Sequence, residues 1–187
     1  MRLTRFAPLV GACIGILGGC VYWLAVQFWP SSVALILSMA ATALATAQLR
    51  GSAIFYLLLK YNVLMALSSA KLPFAVPANL PLGLIMVAGY AASYALVVAV
   101  MATRAEKSAP KVSHGALAAA LLIGFAPATL LGVPGLAGLA VAIVAGLSFI
   151  GYLKYKRMAG SADTLNLAQM GSEVSFYLAA LATWRFI

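Results

Sequence analysis

Residues 82–103 read LGLIMVAGYAASYALVVAVMAT, twenty-two positions without a charge and without strand-like alternation. A helix needs about 20 apolar residues to cross a hydrocarbon core, and this run supplies them. A continuous apolar run argues for helix, whereas a barrel strand alternates every second residue. Working outward, comparable runs occupy residues 6–29, 32–49, 52–70, 115–133 and 135–153, with a shorter one at 174–187. The expected fold is all-α: a polytopic integral membrane helical bundle of about seven transmembrane helices, six if the short last segment does not span. It forms a single domain over residues 1–187.

The composition agrees. The chain is 65% hydrophobic and 8% charged, with a mean hydropathy of +1.06, which excludes an ordinary soluble domain. Residues 6–29 are too long for a signal peptide and carry no small-residue cleavage site after them, so they read as a retained span. Residues 32–49 and 52–70 are separated only by Arg50-Gly51, the signature of a helical hairpin.

The charges orient the bundle. With seven spans, Arg2, Arg5, Arg50, Arg104, Lys107, Lys111, Lys154, Lys156 and Arg157 fall on one side, and only Lys71 and Arg185 on the other. Basic residues concentrate in cytoplasmic loops, so the expectation is a multi-pass protein of the cytoplasmic (inner) membrane with a cytoplasmic N-terminus. Glu106, Asp163 and Glu173 fall on that same side. The net charge of +9 then reflects loops beside anionic lipid headgroups. No basic face interleaved with aromatics is present, so no nucleic-acid partner is expected.

Smaller features follow. Gly11, Gly15 and Gly19 recur every four residues, a spacing that lets helices approach closely, either within the protein or as a homo-oligomer interface. Cys13 and Cys20 share a helical face without CxxC or metal spacing and read as small packing residues. His114 stands alone and receives no role. Pro73, Pro77 and Pro81 break the chain into an outer loop, and Pro127 lies inside the fifth run.

Two polar anomalies carry the search for chemistry. The chain has three acidic residues, and two of them, Asp163 and Glu173, bracket a polar island between the last two apolar runs. At 100° per residue Asp163, Asn166, Gln169 and Glu173 share one helical face. Ionisable groups near a membrane core are costly to keep, which makes a functional role the default reading; the structural alternative is a solvated helix start with Glu173 near its N-terminus. Lys60 is the second anomaly. It lies near the middle of residues 52–70, about 12–15 Å from either end at 1.5 Å per residue, too far for comfortable snorkelling. The expectation is a buried lysine, paired with a carboxylate or a bound phosphate.

At this point the sequence resembles the cobalamin synthase family, adenosylcobinamide-GDP ribazoletransferase. Arg5-Phe6-Ala7-Pro8-Leu9-Val10-Gly11, followed by Gly15, looks like the family's opening Pro-Leu-(Val/Ile)-Gly span. Leu57-Leu58-Leu59-Lys60 is similar to its third-segment lysine. Asp163-Thr164-Leu165, with Gln169, Glu173 and Phe176-Tyr177-Leu178, aligns without a gap on its Thr-Gly-Asp-x-Leu-Gly-Ala…Glu motif, the Asp-to-Glu spacing of ten included. The resemblance implies a membrane transferase that joins α-ribazole, or its 5′-phosphate, to adenosylcobinamide-GDP and releases GMP with Mg²⁺. It assigns Asp163 and Glu173 to catalysis and to the metal, and Lys60, Ser161 and Thr164 to substrate phosphate. Asn166 and Gln169 complete the polar face.

The chain also departs from the family. The acidic His-x-Asp-Gly-x-Ala-Asp-x-x-Asp-Gly signature after the second span is absent, as is the Lys-Asp-Ser-Arg segment that follows it; Ala47-Gln48-Leu49 passes directly to Arg50-Gly51-Ser52. Ser93-Tyr94 stand where the family has an arginine. In the C-terminal motif glycines become Ala159, Ala162 and Asn166, and the threonine becomes Ser161. Along a continuous helix Asp163 and Glu173 lie about 15 Å apart, too far to share one Mg²⁺ with ligands at about 2.1 Å, unless a break at Gly171 brings them closer. Two alternative functions therefore stand beside the transferase: a non-catalytic membrane scaffold of the corrinoid pathway, and a small transporter.

Overall fold

The computed structural model describes residues 6–46, 53–69, 79–102, 113–156 and 162–184. Seven helices make up these described residues: α1 (Ala7–Ala25), α2 (Ser31–Ala45), α3 (Ala53–Ser69), α4 (Asn79–Ala102), α5 (His114–Thr129), α6 (Val133–Lys156) and α7 (Ala162–Trp184). The chain is all-helical here, in keeping with the unbroken apolar runs of the sequence.

The stretch quoted first sits at the centre. Between Leu82 and Val100 no residue of α4 is fully exposed, and Ile85, Met86, Ala88, Ala91, Ala92 and Ala95 have no accessible surface. A helix that is hydrophobic all round belongs in a core. Around α4 stand α1, α5, α6 and α7, with a lighter contact to α3.

Small residues set how closely these neighbours come. On α1, Gly11 lies against Tyr90 and Tyr94, Gly15 against Met86 and Val87, and Gly19 against Gly83. The partner numbers fall as the α1 numbers rise, so the two helices run antiparallel. A methyl carbon added at Gly15 would lie 2.5 Å from the Val87 Cα and 3.0 Å from the Met86 carbonyl oxygen, so the two backbones nearly touch. The glycine face anticipated in the sequence is thus filled by α4 of the same chain. Gly11 and Gly15 are buried in that seam, while Gly19 keeps part of its surface. Next to α1 on α4, Ala116, Ala120, Gly124 and Ala128 form the buried stripe of α5, with Gly124 against Ala91 and Ala95 of α4 and Pro8 of α1. Between α5 and α6 the chain turns at Gly132, whose φ of 65° lies in the left-handed region that favours glycine.

Other expectations shift. The run at 6–29 stops as helix at Ala25, and hydrogen bonds from Gln27, Phe28 and Trp29 back to Leu24 and Ala25 form a turn that leads into Pro30 and α2. The run at 174–187 starts inside a 23-residue helix, Ala162–Trp184, because the polar island is itself helical. Gly171 sits inside α7 without interrupting it, so no break brings Asp163 toward Glu173. Cys13 and Cys20 are both free and exposed. They lie on the outer surface and not in the packing: the close-approach face of α1 is taken by glycines, and the cysteines fall beside it.

Many large apolar side chains of the described residues face outward. Phe55 is 77% exposed and Leu122 74%, and Ile36, Leu58, Val144 and Leu147 are also largely uncovered. Two helices combine length with apolarity enough to cross a membrane, Ala7–Ala25 at a hydropathy of 1.8 and Leu82–Ala102 at 2.1.

Candidate functional site

The site begins with the inward stripe of α3. Tyr56, Lys60, Val63, Leu64 and Leu67 are buried, the i, i+4, i+7 pattern of a helix with one face turned to a core. Phe55, Leu58 and Leu59, on the other face, are exposed. Lys60 therefore points inward, away from the apolar exterior. Its side chain is 1% exposed, and its Nζ lies 2.6 Å from the Glu173 Oε1, a carboxylate that is fully buried.

Glu173 is brought there by α7, on the same buried face as Gln169, Phe176 and Tyr177. Its two oxygens are well supplied with donors. Oε1 takes the Lys60 ammonium and the Tyr177 hydroxyl at 3.0 Å. Oε2 accepts from the Tyr56 hydroxyl. On the other side Lys60 donates to the Tyr90 Oη at 2.6 Å, and its Nζ lies 4.2 Å from the centre of the Tyr90 ring. The rings of Tyr56 and Tyr177 are 5.8 and 6.0 Å away. All three distances fall within the roughly 6 Å reach of a cation–π contact. Gly89 makes room for this cage, since a methyl carbon there would collide with the Tyr177 ring.

Electrostatics explain the crowding. An isolated charge in such surroundings is prohibitive, and a buried pair persists only where further hydrogen bonds satisfy both partners. Three hydroxyls and three ring faces serve that purpose here, and the cluster is neutral overall.

The sequence candidates are placed as follows. Lys60 and Glu173 are brought together, which supplies the carboxylate partner that was one of the two expected for the lysine. Gln169 is buried one turn earlier on α7, and Asn166 is half-buried a turn before that. Asp163 and Thr164 lie in the first turn of α7, but their side chains fall outside the described residues, as does Ser161 entirely. None of the three tyrosines was given a role from the sequence, although Tyr177 lies in the C-terminal motif. Two left a signal: Tyr56 stands four residues before Lys60 and Tyr177 four after Glu173, where helical neighbours meet. Tyr90 left none, since it arrives from another helix.

The metal assignment does not fit Glu173. A cation there would compete with the Lys60 ammonium for the same oxygen and meet its repulsion. Asp163 lies about 15 Å along the unbroken helix. Among the described residues no three of His, Cys, Asp and Glu gather as a metal would require.

Among the described residues, these features define an all-α bundle with apolar side chains on its outside and one buried ammonium–carboxylate pair shared by α3, α4 and α7. Residues 1–50 match the family described as cobalamin-5-phosphate synthase. A 39-residue stretch is 59% identical to the adenosylcobinamide-GDP ribazoletransferase of Leptothrix cholodnii, covering 21% of this chain and 15% of that protein. The family match thus lies in the first fifty residues, the segment that holds the opening motif. No solved structure matches.

Proposed function

We propose that this chain is a membrane protein of the cobalamin synthase type, acting where α-ribazole, or its 5′-phosphate, is joined to adenosylcobinamide-GDP with release of GMP. The observation that carries the reading is the family match over residues 1–50. The helices of that segment, α1 and α2, pack into the same bundle as the rest of the chain, α1 against α4 and α2 against α3. The matched segment and the Lys60–Glu173 pair therefore belong to one packed unit. Membrane embedding is supported by the exposed Phe55, Leu58, Leu122 and Val144, because large contiguous apolar exteriors are rare on soluble monomers. On this reading the seven helices span the cytoplasmic membrane as a multi-pass bundle, with the N-terminus on the basic, cytoplasmic side.

Transfer to a diphosphate-linked corrinoid needs positioning and charge stabilisation. The resemblance assigns magnesium to that task, and the engaged oxygens of Glu173 leave it no place there; Asp163 is the remaining acidic candidate on α7. A second reading is favoured by the same observation. With Glu173 closed over by Lys60 and three tyrosines, the chain serves as a non-catalytic scaffold that holds a corrinoid-nucleotide. A transporter is less well supported, since it calls for ionisable groups at several depths. The buried charged side chains among the described residues are Lys60 and Glu173, at one depth.

The test is GMP release by purified protein in nanodiscs given adenosylcobinamide-GDP, α-ribazole and Mg²⁺. Magnesium-dependent turnover abolished in Asp163→Ala supports the transferase. Binding of the corrinoid-nucleotide without turnover supports the scaffold, and absence of both defeats the proposal.

A further inference from the structure

The family resemblance gives Lys60 to a phosphate and Glu173 to a metal, yet the fold gives them to each other. We infer that Lys60 and Glu173, with Tyr56, Tyr90 and Tyr177, form a self-occupied ammonium cage. It fastens α3 to α4 and α7, and neither charged residue holds magnesium or substrate phosphate.

Three observations carry this. The first is the occupancy of the carboxylate, on both of its oxygens. A carboxylate offers about four lone-pair sites, and Glu173 already receives Lys60, Tyr177 and Tyr56. The second is the chemistry of the surround. Three aromatic faces and a carboxylate recognise an alkylammonium, not a hard dication whose ligands are oxygens in octahedral array. A phosphate is disfavoured as well: to reach the Lys60 Nζ it would approach a carboxylate already 2.6 Å from that nitrogen. The third is position. Lys60 reaches Tyr90 on α4 and Glu173 on α7, and Tyr56 adds a second link from α3 to α7. By contrast, the contact of α3 with α4 is the lightest of its packings. The polar cage supplies the specific tie. The inference rests on the chain's own geometry and stands apart from the transferase reading.

The experiment uses the full chain in detergent and reads its thermal midpoint. Removing one partner of a buried pair strands the other charge, whereas neutralising both does not. Lys60→Met is expected to lower the midpoint by about 6–20 °C, and the double variant Lys60→Met with Glu173→Gln to regain most of that loss. Lys60→Ala deletes a three-carbon chain and its amine, so n-propylammonium should raise the midpoint of that variant more than an equal concentration of Mg²⁺. The wild-type protein supplies a measurement free of any folding defect. Glu173 should resist the hydrophobic reagent dicyclohexylcarbodiimide whether or not Mg²⁺ is present. The inference is overturned by a double variant no more stable than Lys60→Met. It is equally overturned by a Lys60→Ala protein that Mg²⁺ stabilises and propylammonium does not, or by wild-type labelling, mapped to Glu173, that Mg²⁺ suppresses. All three readouts are independent of turnover, so they leave the proposed activity to be judged separately.

Discussion

Adding one methyl group at Gly15 tests how the bundle is held together. The new carbon would lie 2.5 Å from the Val87 Cα, with the Val87 nitrogen and the Met86 carbonyl oxygen both at 3.0 Å. All three neighbours are backbone, so no side chain can rotate away. Ordinary contact begins near 3.4 Å; the helices must separate locally by roughly 1 Å, and a gap of that size forfeits up to about half of each dispersion contact along the seam. Overpacking of this kind costs about 1–3 kcal/mol, and the upper end applies where backbone meets backbone. Alanine returns about 1 kcal/mol of helix propensity over glycine, which leaves a net loss of about 2 kcal/mol. For a chain of this size that is a midpoint lower by about 4–8 °C. Gly171, inside α7, is the internal control: nothing lies within 4 Å of its added carbon, so Gly171→Ala keeps only the propensity gain and should raise the midpoint by about 2–4 °C. The assay is thermal unfolding of both variants in one detergent. If Gly15→Ala is as harmless as Gly171→Ala, the antiparallel α1–α4 seam described above is wrong.

Other perturbations probe the remaining links. Tyr56→Phe removes a hydroxyl donor to a buried carboxylate and should cost about 1.5–3 kcal/mol, read as a lower midpoint with the helical circular dichroism of the folded protein unchanged; an unaltered midpoint would place Tyr56 outside the cage. Gly89→Ala should displace the Tyr177 ring and destabilise by about 1–3 kcal/mol, and combining it with Tyr177→Ala should relieve part of that loss; a loss that is strictly additive would separate the two positions. Cys13 and Cys20 are exposed on an apolar face. In native membranes they should resist a membrane-impermeant maleimide and react with a lipid-soluble one, and rapid labelling of both by the impermeant reagent would remove α1 from the bilayer.

Much of the fold was legible because its elements are long and uniformly apolar. Residues 82–103 announced α4 without ambiguity, although not that it would be the most buried helix at the centre of the bundle. Apolarity is common to a helix facing lipid and one facing protein, so composition cannot tell them apart. The start of α7 was harder. Asn166, Gln169 and Glu173 lower the hydropathy of its first turns, and what holds them as helix is tertiary: Ala168, Met170 and Val174 are buried against the bundle. For Lys60 the arithmetic of distance to the span ends gave burial but not the partner. Its choice between a carboxylate and a phosphate depended on α3 meeting α7, a contact between residues more than one hundred positions apart. The glycine repeat on α1 declared a close approach, and only the packed bundle showed that α4 makes it.

The link between Tyr56 and Glu173 joins positions 117 residues apart, which bears on how the chain is made. A ribosome adding about 5–20 residues per second takes roughly 6–23 s to travel that far. During that interval α3 has left the exit tunnel carrying a lysine whose counter-charge has not yet been synthesised. The central helix waits too, with the side that will receive Tyr177 still uncovered. Assembly of this bundle is therefore closed by its last helix, and the nascent chain must carry an unpaired ammonium until α7 is translated.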